Sequence, residues 1–208
     1  MRSWSPGPDM SEQTGKELMD RLLVGVSGSV AVLNLPSYLA TLRAELAGEV
    51  RVIMTAAAAS MLPPSTVALI CDAVFLEQEP TVEKRPGHIE LARWCEMFVV
   101  LPATANVIGQ AANGLGSNFL TTTILASPKP VVFYPNVKDV MWSKAVVQRN
   151  VDTLREDGHI VIEPEVAIAY EVDSGETRES LVVPEPTQLV EQLREIHRQP
   201  EFLTVSGS

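Results

Sequence analysis

Cysteine is nearly absent from this chain, with only Cys71 and Cys95 in 208 residues. Two lone thiols can build neither a disulfide framework nor a four-ligand zinc site, and both read as buried free thiols. Positive charge is also scarce. Lys and Arg number 16 against 26 Asp and Glu, a net charge of −10, so the surface lacks the cationic field that nucleic-acid backbones and anionic membranes require. Expected partners are neutral, cationic or small, with no nucleic acid and no membrane. No window reaches the roughly eighteen uncharged apolar residues of a membrane span, and the first twenty residues have no apolar core of a secretory signal. A cytoplasmic location follows. No paired carboxylates and no HExxH spacing occur, so no metal site is expected.

What the chain does have is apolar content, 46 % against 20 % charged, enough to bury the core of one domain. Residues 1–20 mix Ser, Pro, Gly and charge without periodicity and are expected to be a disordered N-terminal segment. A single domain is expected over 21–199, and a flexible tail over 200–208. From Arg21 onward, short apolar runs alternate with helical patterns. Leu22 to Val26, then Leu35, Tyr38, Leu39, Leu42 and Leu46 at helical spacing, then Val50 to Met54, form a βαβ unit. A helix is predicted around Thr66 to Asp72 and another opening near His88. Strands are predicted at Met97 to Leu101, Val131 to Tyr134 and His159 to Ile162. Helices run through Val107 to Ala112, through Phe119 to Ile124, and from about Met141 to Glu156. Near-continuous apolar strands separated by helices define an α/β, doubly wound, Rossmann-like parallel sheet with helices on both faces. Residues 166–183 break this rhythm: two β-prone runs surround the turn signal Asp173-Ser174-Gly175-Glu176, so an antiparallel hairpin is appended. Pro186 to Arg198 completes the chain as an amphipathic terminal helix.

Ligands of such sheets lie at the carboxyl ends of the strands. After the first strand, Gly28-Ser29-Val30 leads into a helix. Such a loop can hold a phosphate on backbone N–H groups, or it can be a plain turn in which Ser caps the helix. The spacing is neither a Rossmann fingerprint nor a Walker loop. After the second strand, Thr55 precedes four alanines, which either admit a flat ring system or serve close helix packing. The fourth and fifth strands end in Pro102-Ala103-Thr104-Ala105-Asn106 and in Pro135-Asn136-Val137-Lys138. Capping explains Thr104 but not Asn106. His88 alone reads as a surface or capping residue, and His159 and His197 as structural or exposed.

Taken together and in order, these pieces resemble the homo-oligomeric flavin-containing cysteine decarboxylase family from about Arg21 to Pro184. The family's PASANT motif is matched by Pro102-Ala103-Thr104-Ala105-Asn106-Val107. Its ANGxxxNxL stretch is matched by Ala112-Asn113-Gly114-Leu115-Gly116-Ser117-Asn118-Phe119-Leu120, and its active-site helix by His88-Ile89-Glu90-Leu91-Ala92-Arg93-Trp94. The resemblance implies FMN held by Gly28, Ser29, Val30, Thr55, Thr104, Asn106 and Val107. It also implies a catalytic His88, an Asn106 that fixes the substrate carboxylate, and sites assembled in a homotrimer or homododecamer.

Two branches share these motifs. Phosphopantothenoylcysteine decarboxylases carry a late cysteine that helps to reduce the enethiol intermediate; here no cysteine follows Cys95. The chain therefore resembles the lanthipeptide branch of the epidermin and microbisporicin kind, which oxidatively decarboxylates a C-terminal peptidyl cysteine to an enethiol for aminovinyl-cysteine formation. The implied chemistry has His88 assist thiol deprotonation as a hydride leaves the β-carbon for the flavin, and the resulting thioaldehyde acts as the electron sink for loss of CO2. The hairpin resembles that branch's substrate clamp, which brings Asp173, Ser174 and Gly175 to the peptide. In the family's PxMNxxMW motif, Lys138 replaces the usual Asn while Met141-Trp142 is kept. Lysine cannot accept a hydrogen bond but can pair with a carboxylate, so Lys138 either binds the peptide's terminus or points away from it. The competing functions are phosphopantothenoylcysteine decarboxylation for coenzyme A, a non-catalytic FMN-binding regulatory subunit, and flavin prenyl transfer.

Overall fold

The computed structural model describes residues 19–77, 86–171 and 175–203. The chain runs β1 (Met19–Val26), α1 (Leu35–Glu45), β2 (Ala47–Met54), α2 (Ala56–Met61), α3 (Pro64–Val67), β3 (Ala73–Leu76), α4 (His88–Trp94) and β4 (Met97–Ala103). It continues through α5 (Ala105–Ala112), α6 (Phe119–Leu125), β5 (Val131–Pro135), α7 (Asp139–Trp142), α8 (Ala145–Glu156) and β6 (Ile160–Val161). A hairpin of β7 (Glu165–Glu171) and β8 (Glu176–Val182) follows, then α9 (Pro186–His197) and α10 (Pro200–Leu203). Six parallel strands lie in the order β3-β2-β1-β4-β5-β6, and the hairpin forms a separate antiparallel pair. This is the doubly wound order, whose switch point falls between β1 and β4.

The apolar runs become strands because both faces of the sheet are covered. Leu22, Val24 and Val26 of β1 pack with Leu39 and Leu42 of α1 and with Leu189 and Leu193 of α9. Leu23 points the other way, into a second cluster with Leu91, Ile108, Leu120, Ile124, Val151 and Leu154. Alternate residues of one strand thus feed two cores. Gly25 lets α6 approach, since a Cβ there would lie 2.4 Å from Leu120 Cδ1. At the far end of α4, the Arg51 guanidinium stacks over the Trp94 ring at 4.0 Å, which fixes the helix whose first residue is His88.

Several elements differ from the sequence reading. The helix expected over Thr66 to Asp72 is the single turn α3. It ends because Asp72 turns to accept the Val50 N–H at 2.8 Å and to pair with Arg43. The helix expected from Met141 to Glu156 is two. Lys144 is extended, and Gln148 Nε2 donates to the Trp142 carbonyl at 2.6 Å, satisfying the interrupted end. A 3-10 helix, Val30–Asn34, stands before α1. β1 begins at Met19 rather than Arg21. The terminal stretch carries α10, whose Phe202 is 3 % exposed in the first core.

Candidate functional site

Four strands deliver loops to the carboxyl end of the sheet, and hydrogen bonds stitch those loops together beyond the last ladder rungs. The Thr55 N–H donates to the Val26 carbonyl at 3.0 Å and the Asn136 N–H to the Ala103 carbonyl at 2.9 Å. Across the switch point the stitch is Ser27, a residue the sequence reading assigned no role. Its Oγ donates to the Pro102 carbonyl at 2.7 Å and accepts the Thr104 N–H at 2.9 Å, and the residue is 1 % exposed. Its one donor and one of its two lone pairs are thus engaged. The only sequence signal was a polar residue at the end of an otherwise apolar strand.

Gly28 follows, pressed against α2: a Cβ there would sit 2.5 Å from Ala57 Cβ and 3.0 Å from the Ala57 carbonyl carbon. Ser29 is extended, and its Oγ is buried without a hydrogen-bond partner. Val30 is half exposed at 49 %. A buried orphan hydroxyl is costly unless a ligand engages it. This glycine-tight loop with an unmatched hydroxyl therefore fits a phosphate.

Thr55 and Thr104 cap α2 and α5, accepting the N–H of Ala58 at 3.3 Å and of Val107 at 3.4 Å. The Val107 N–H is thus engaged within the chain, and the residue itself is buried. Asn106 lies on the exposed face of α5. Its Oδ1 accepts from Gln110 Nε2 at 3.4 Å, and Gln110 Oε1 accepts from Asn118 Nδ2 at 3.4 Å. Asn118 caps α6, its Oδ1 accepting the Thr121 N–H at 2.9 Å.

His88 opens α4, partly exposed, beside the Glu90 carboxylate that accepts the Gly87 N–H at 2.9 Å. Its imidazole makes no hydrogen bond among the described residues, and none joins it within one chain to Asn106 or to the 28–30 loop. Lys138 is exposed at the start of α7, its carbonyl accepting the N–H of Met141 at 2.9 Å and of Trp142 at 2.8 Å. Met141 is 47 % exposed. Asp173 and Ser174 lie outside the described residues. Gly175 occupies the left-handed region at φ +69°, as the hairpin turn requires.

The remaining titratable candidates are structural. His159 Nδ1 accepts the Val131 N–H at 3.1 Å, its ring meets Phe133 edge-on, and burial holds its pKa below the ordinary value. Cys95 is buried, its thiol pushed up to about 12 by desolvation. Cys71 is half buried and raised for the same reason. Both cysteines immediately precede strands, β4 and β3, so both lie at the amino end of the sheet, opposite the loops just described. No group of three or more metal-ligating side chains occurs among the described residues. No helix among them is long and apolar enough to cross a membrane.

Fold and loops together define a doubly wound α/β protein with a loop at its switch point that fits a phosphate group. The chain belongs to the Flavoprotein family, whose model matches residues 10–196. It is 43 % identical over 155 residues to mersacidin decarboxylase of Bacillus sp. (strain HIL-Y85/54728), covering 74 % of this chain and 79 % of that one. Among solved structures it is similar to the FMN-dependent cysteine decarboxylase SpaF, with TM-score 0.69, 33 % identity, and coverage of 86 % and 97 %. It is also similar to an EpiD variant complexed with substrate peptide DSYTC, with TM-score 0.77, 25 % identity, and coverage of 84 % and 98 %. The six-stranded parallel sheet and the C-terminal hairpin match the architecture of these decarboxylases.

Proposed function

We infer that this chain is an FMN-dependent decarboxylase of a C-terminal peptidyl cysteine, forming an enethiol for aminovinyl-cysteine in a lanthipeptide. The likeness to mersacidin decarboxylase and to a peptide-bound EpiD favours this reading over coenzyme A biosynthesis. The observation that carries the product is the placement of the thiols. The chain has only two, and both sit at the amino end of the sheet, where neither can return electrons to an enethiol at the carboxyl end.

When bound, FMN supplies two-electron acceptance, which makes the decarboxylation oxidative. The orphan hydroxyl of Ser29, with the backbone around Gly28 and Val30, holds its phosphate, and the hydroxyls of Thr55 and Thr104 border it. His88 takes the proton from the substrate thiol, its ring free of competing partners. Asn106 holds the α-carboxylate until the bond from that carbon to the carboxylate breaks. Lys138 at the start of α7 supplies a cation for the peptide terminus, beside Met141. The hairpin folds over the peptide's tail, and Asp173, Ser174 and Gly175 are the residues expected to meet it. Its face of Val166, Ile168 and Tyr170, 68 %, 68 % and 65 % exposed, gives that tail an apolar surface with main-chain hydrogen bonding along the edge.

Each site is completed by neighbouring copies in a homotrimer, assembled into a dodecamer in the cytoplasm. Support comes from exposed apolar side chains on the elements that carry or follow the candidate site residues, Val30, Leu33, Met61, Ile89, Val140 and Met141, which water alone would not favour in such number. The test is mass spectrometry of DSYTC incubated with the purified yellow protein. The expected product is lighter by about 46 Da, CO2 plus two hydrogens. An unchanged mass with FMN bound, across several cysteine-ending peptides, overturns the reading.

A further inference from the structure

The amides of Asn118, Gln110 and Asn106 form a chain in which only one end is fixed by a group that cannot turn round. That group is the Thr121 N–H, which Asn118 Oδ1 accepts at 2.9 Å as the cap of α6. A primary amide carries its oxygen and its NH2 on opposite sides. With the oxygen committed to a backbone donor, Asn118 must turn Nδ2 toward Gln110, and the only partner it can meet there is an acceptor, Oε1 at 3.4 Å. Gln110 is then oriented in turn, and its Nε2 meets Asn106 Oδ1 at 3.4 Å. The two side chains sit four residues apart on α5, the spacing at which helix neighbours meet. The polarity set at one backbone N–H is passed through two amides to a third.

The consequence falls on the free half of Asn106. Its oxygen is engaged, so what remains toward a ligand is Nδ2, two donors with no competing lone pair. A carboxylate only accepts hydrogen bonds, whereas a carboxamide or an internal peptide bond also presents N–H donors, which need an acceptor. We propose that Gln110 and Asn118 are positioning residues that lock Asn106 with its donors outward, and so make the site select a free C-terminal carboxylate over an amidated terminus or an internal cysteine. This rests on the reading of Asn106 as the carboxylate-binding residue.

The test uses the FMN-loaded protein and two unreactive probes, the pentapeptide DSYTS as free acid and as C-terminal carboxamide, titrated by calorimetry. Asn118→Ser keeps the helix cap but removes Nδ2, leaving Gln110 free to turn. Asn118→Asp keeps the cap and replaces the donor with a second acceptor, which turns Gln110 and then Asn106 round so that an oxygen faces the ligand. The acid-to-amide affinity ratio is expected to fall about threefold in Asn118→Ser and about tenfold or more in Asn118→Asp. The order is expected to persist at about 0.5 M salt, where screening removes the through-space effect of the added charge. A purely structural role would weaken both probes alike and leave the ratio unmoved, which overturns the proposal. So does a ratio that recovers fully in high salt. Turnover of DSYTC by the wild type separates the two levels. Turnover with an unchanged ratio in the variants refutes the relay alone, while absence of turnover and of binding to either probe refutes the underlying reading with it.

Discussion

Replacing Ser27 with alanine removes one oxygen atom from the point where the two halves of the sheet meet. In the wild type that oxygen joins the Pro102 carbonyl at 2.7 Å to the Thr104 N–H at 2.9 Å. The carbonyl keeps a second donor in Ser27→Ala, the residue-27 N–H at 3.2 Å. The Thr104 N–H keeps nothing. An orphaned donor at a site as enclosed as this costs about 1–3 kcal/mol, and the lost hydroxyl bond to Pro102 adds about 1 kcal/mol. A destabilisation of about 2–4 kcal/mol corresponds to a fall in Tm of roughly 5–15 °C for a domain of this size. Because Thr104 and Gly28 sit on either side of the lost stitch, FMN affinity should fall with stability. Thermal denaturation at one fixed protein concentration, followed by both ellipticity and flavin fluorescence, measures the two effects together. A variant with Tm within about 1 °C of the wild type and unchanged flavin retention would refute the assignment of Ser27 as the switch-point stitch.

His88→Asn should lower kcat by roughly 10²–10⁴-fold while leaving Tm and bound FMN unchanged, since the imidazole makes no hydrogen bond within the described fold; steady-state assay beside an absorption spectrum checks this. His159 is neutral in the fold and accepts the Val131 N–H, its pKa held below 6.5 by burial. The unfolded chain therefore takes up the proton first, and this contribution to stability is complete above about pH 6.5 and lost as pH falls through the lowered folded value. Urea midpoints across that range should drop in the wild type and drop less steeply in His159→Gln. The double variant Cys71→Ser/Cys95→Ala should lose about 1–3 kcal/mol of stability through Cys95 yet form the same product at a rate within about twofold, as read by mass spectrometry.

How much of this was legible beforehand depended on the range of the interaction involved. β1, β4 and β5 could be read because a strand buried on both faces must be apolar almost throughout. β3 carries only four residues at the sheet's edge, three of them partly or fully exposed, and leaves no such pattern. The break between α7 and α8 is set by one side chain reaching a carbonyl six residues back, which periodicity does not register. The site divides along the same line. Gly28, Thr55 and Thr104 stood out because local chemistry, a tight turn or a helix start, selects their residue type, whereas Asn106 and His88 gained roles only from the resemblance of the ordered motifs to a family, since capping does not account for Asn106 and His88 alone reads as a surface or capping residue. Ser27 was missed because its partners are 75 and 77 residues away, and Gln110 because its value lies in an amide on the next helix.

With FMN bound, electrons taken from the peptide would stay with the flavin, because both thiols of this chain lie at the amino end of the sheet, away from an enethiol at the carboxyl end. A single-turnover experiment without oxygen tests it directly, with FMN-loaded protein mixed with a limiting amount of DSYTC while flavin absorbance and released CO2 are followed together. One flavin is expected to bleach for each CO2 released, together with an enethiol product. Release of CO2 with the flavin still oxidised at the end, and a saturated thiol as product, would contradict it.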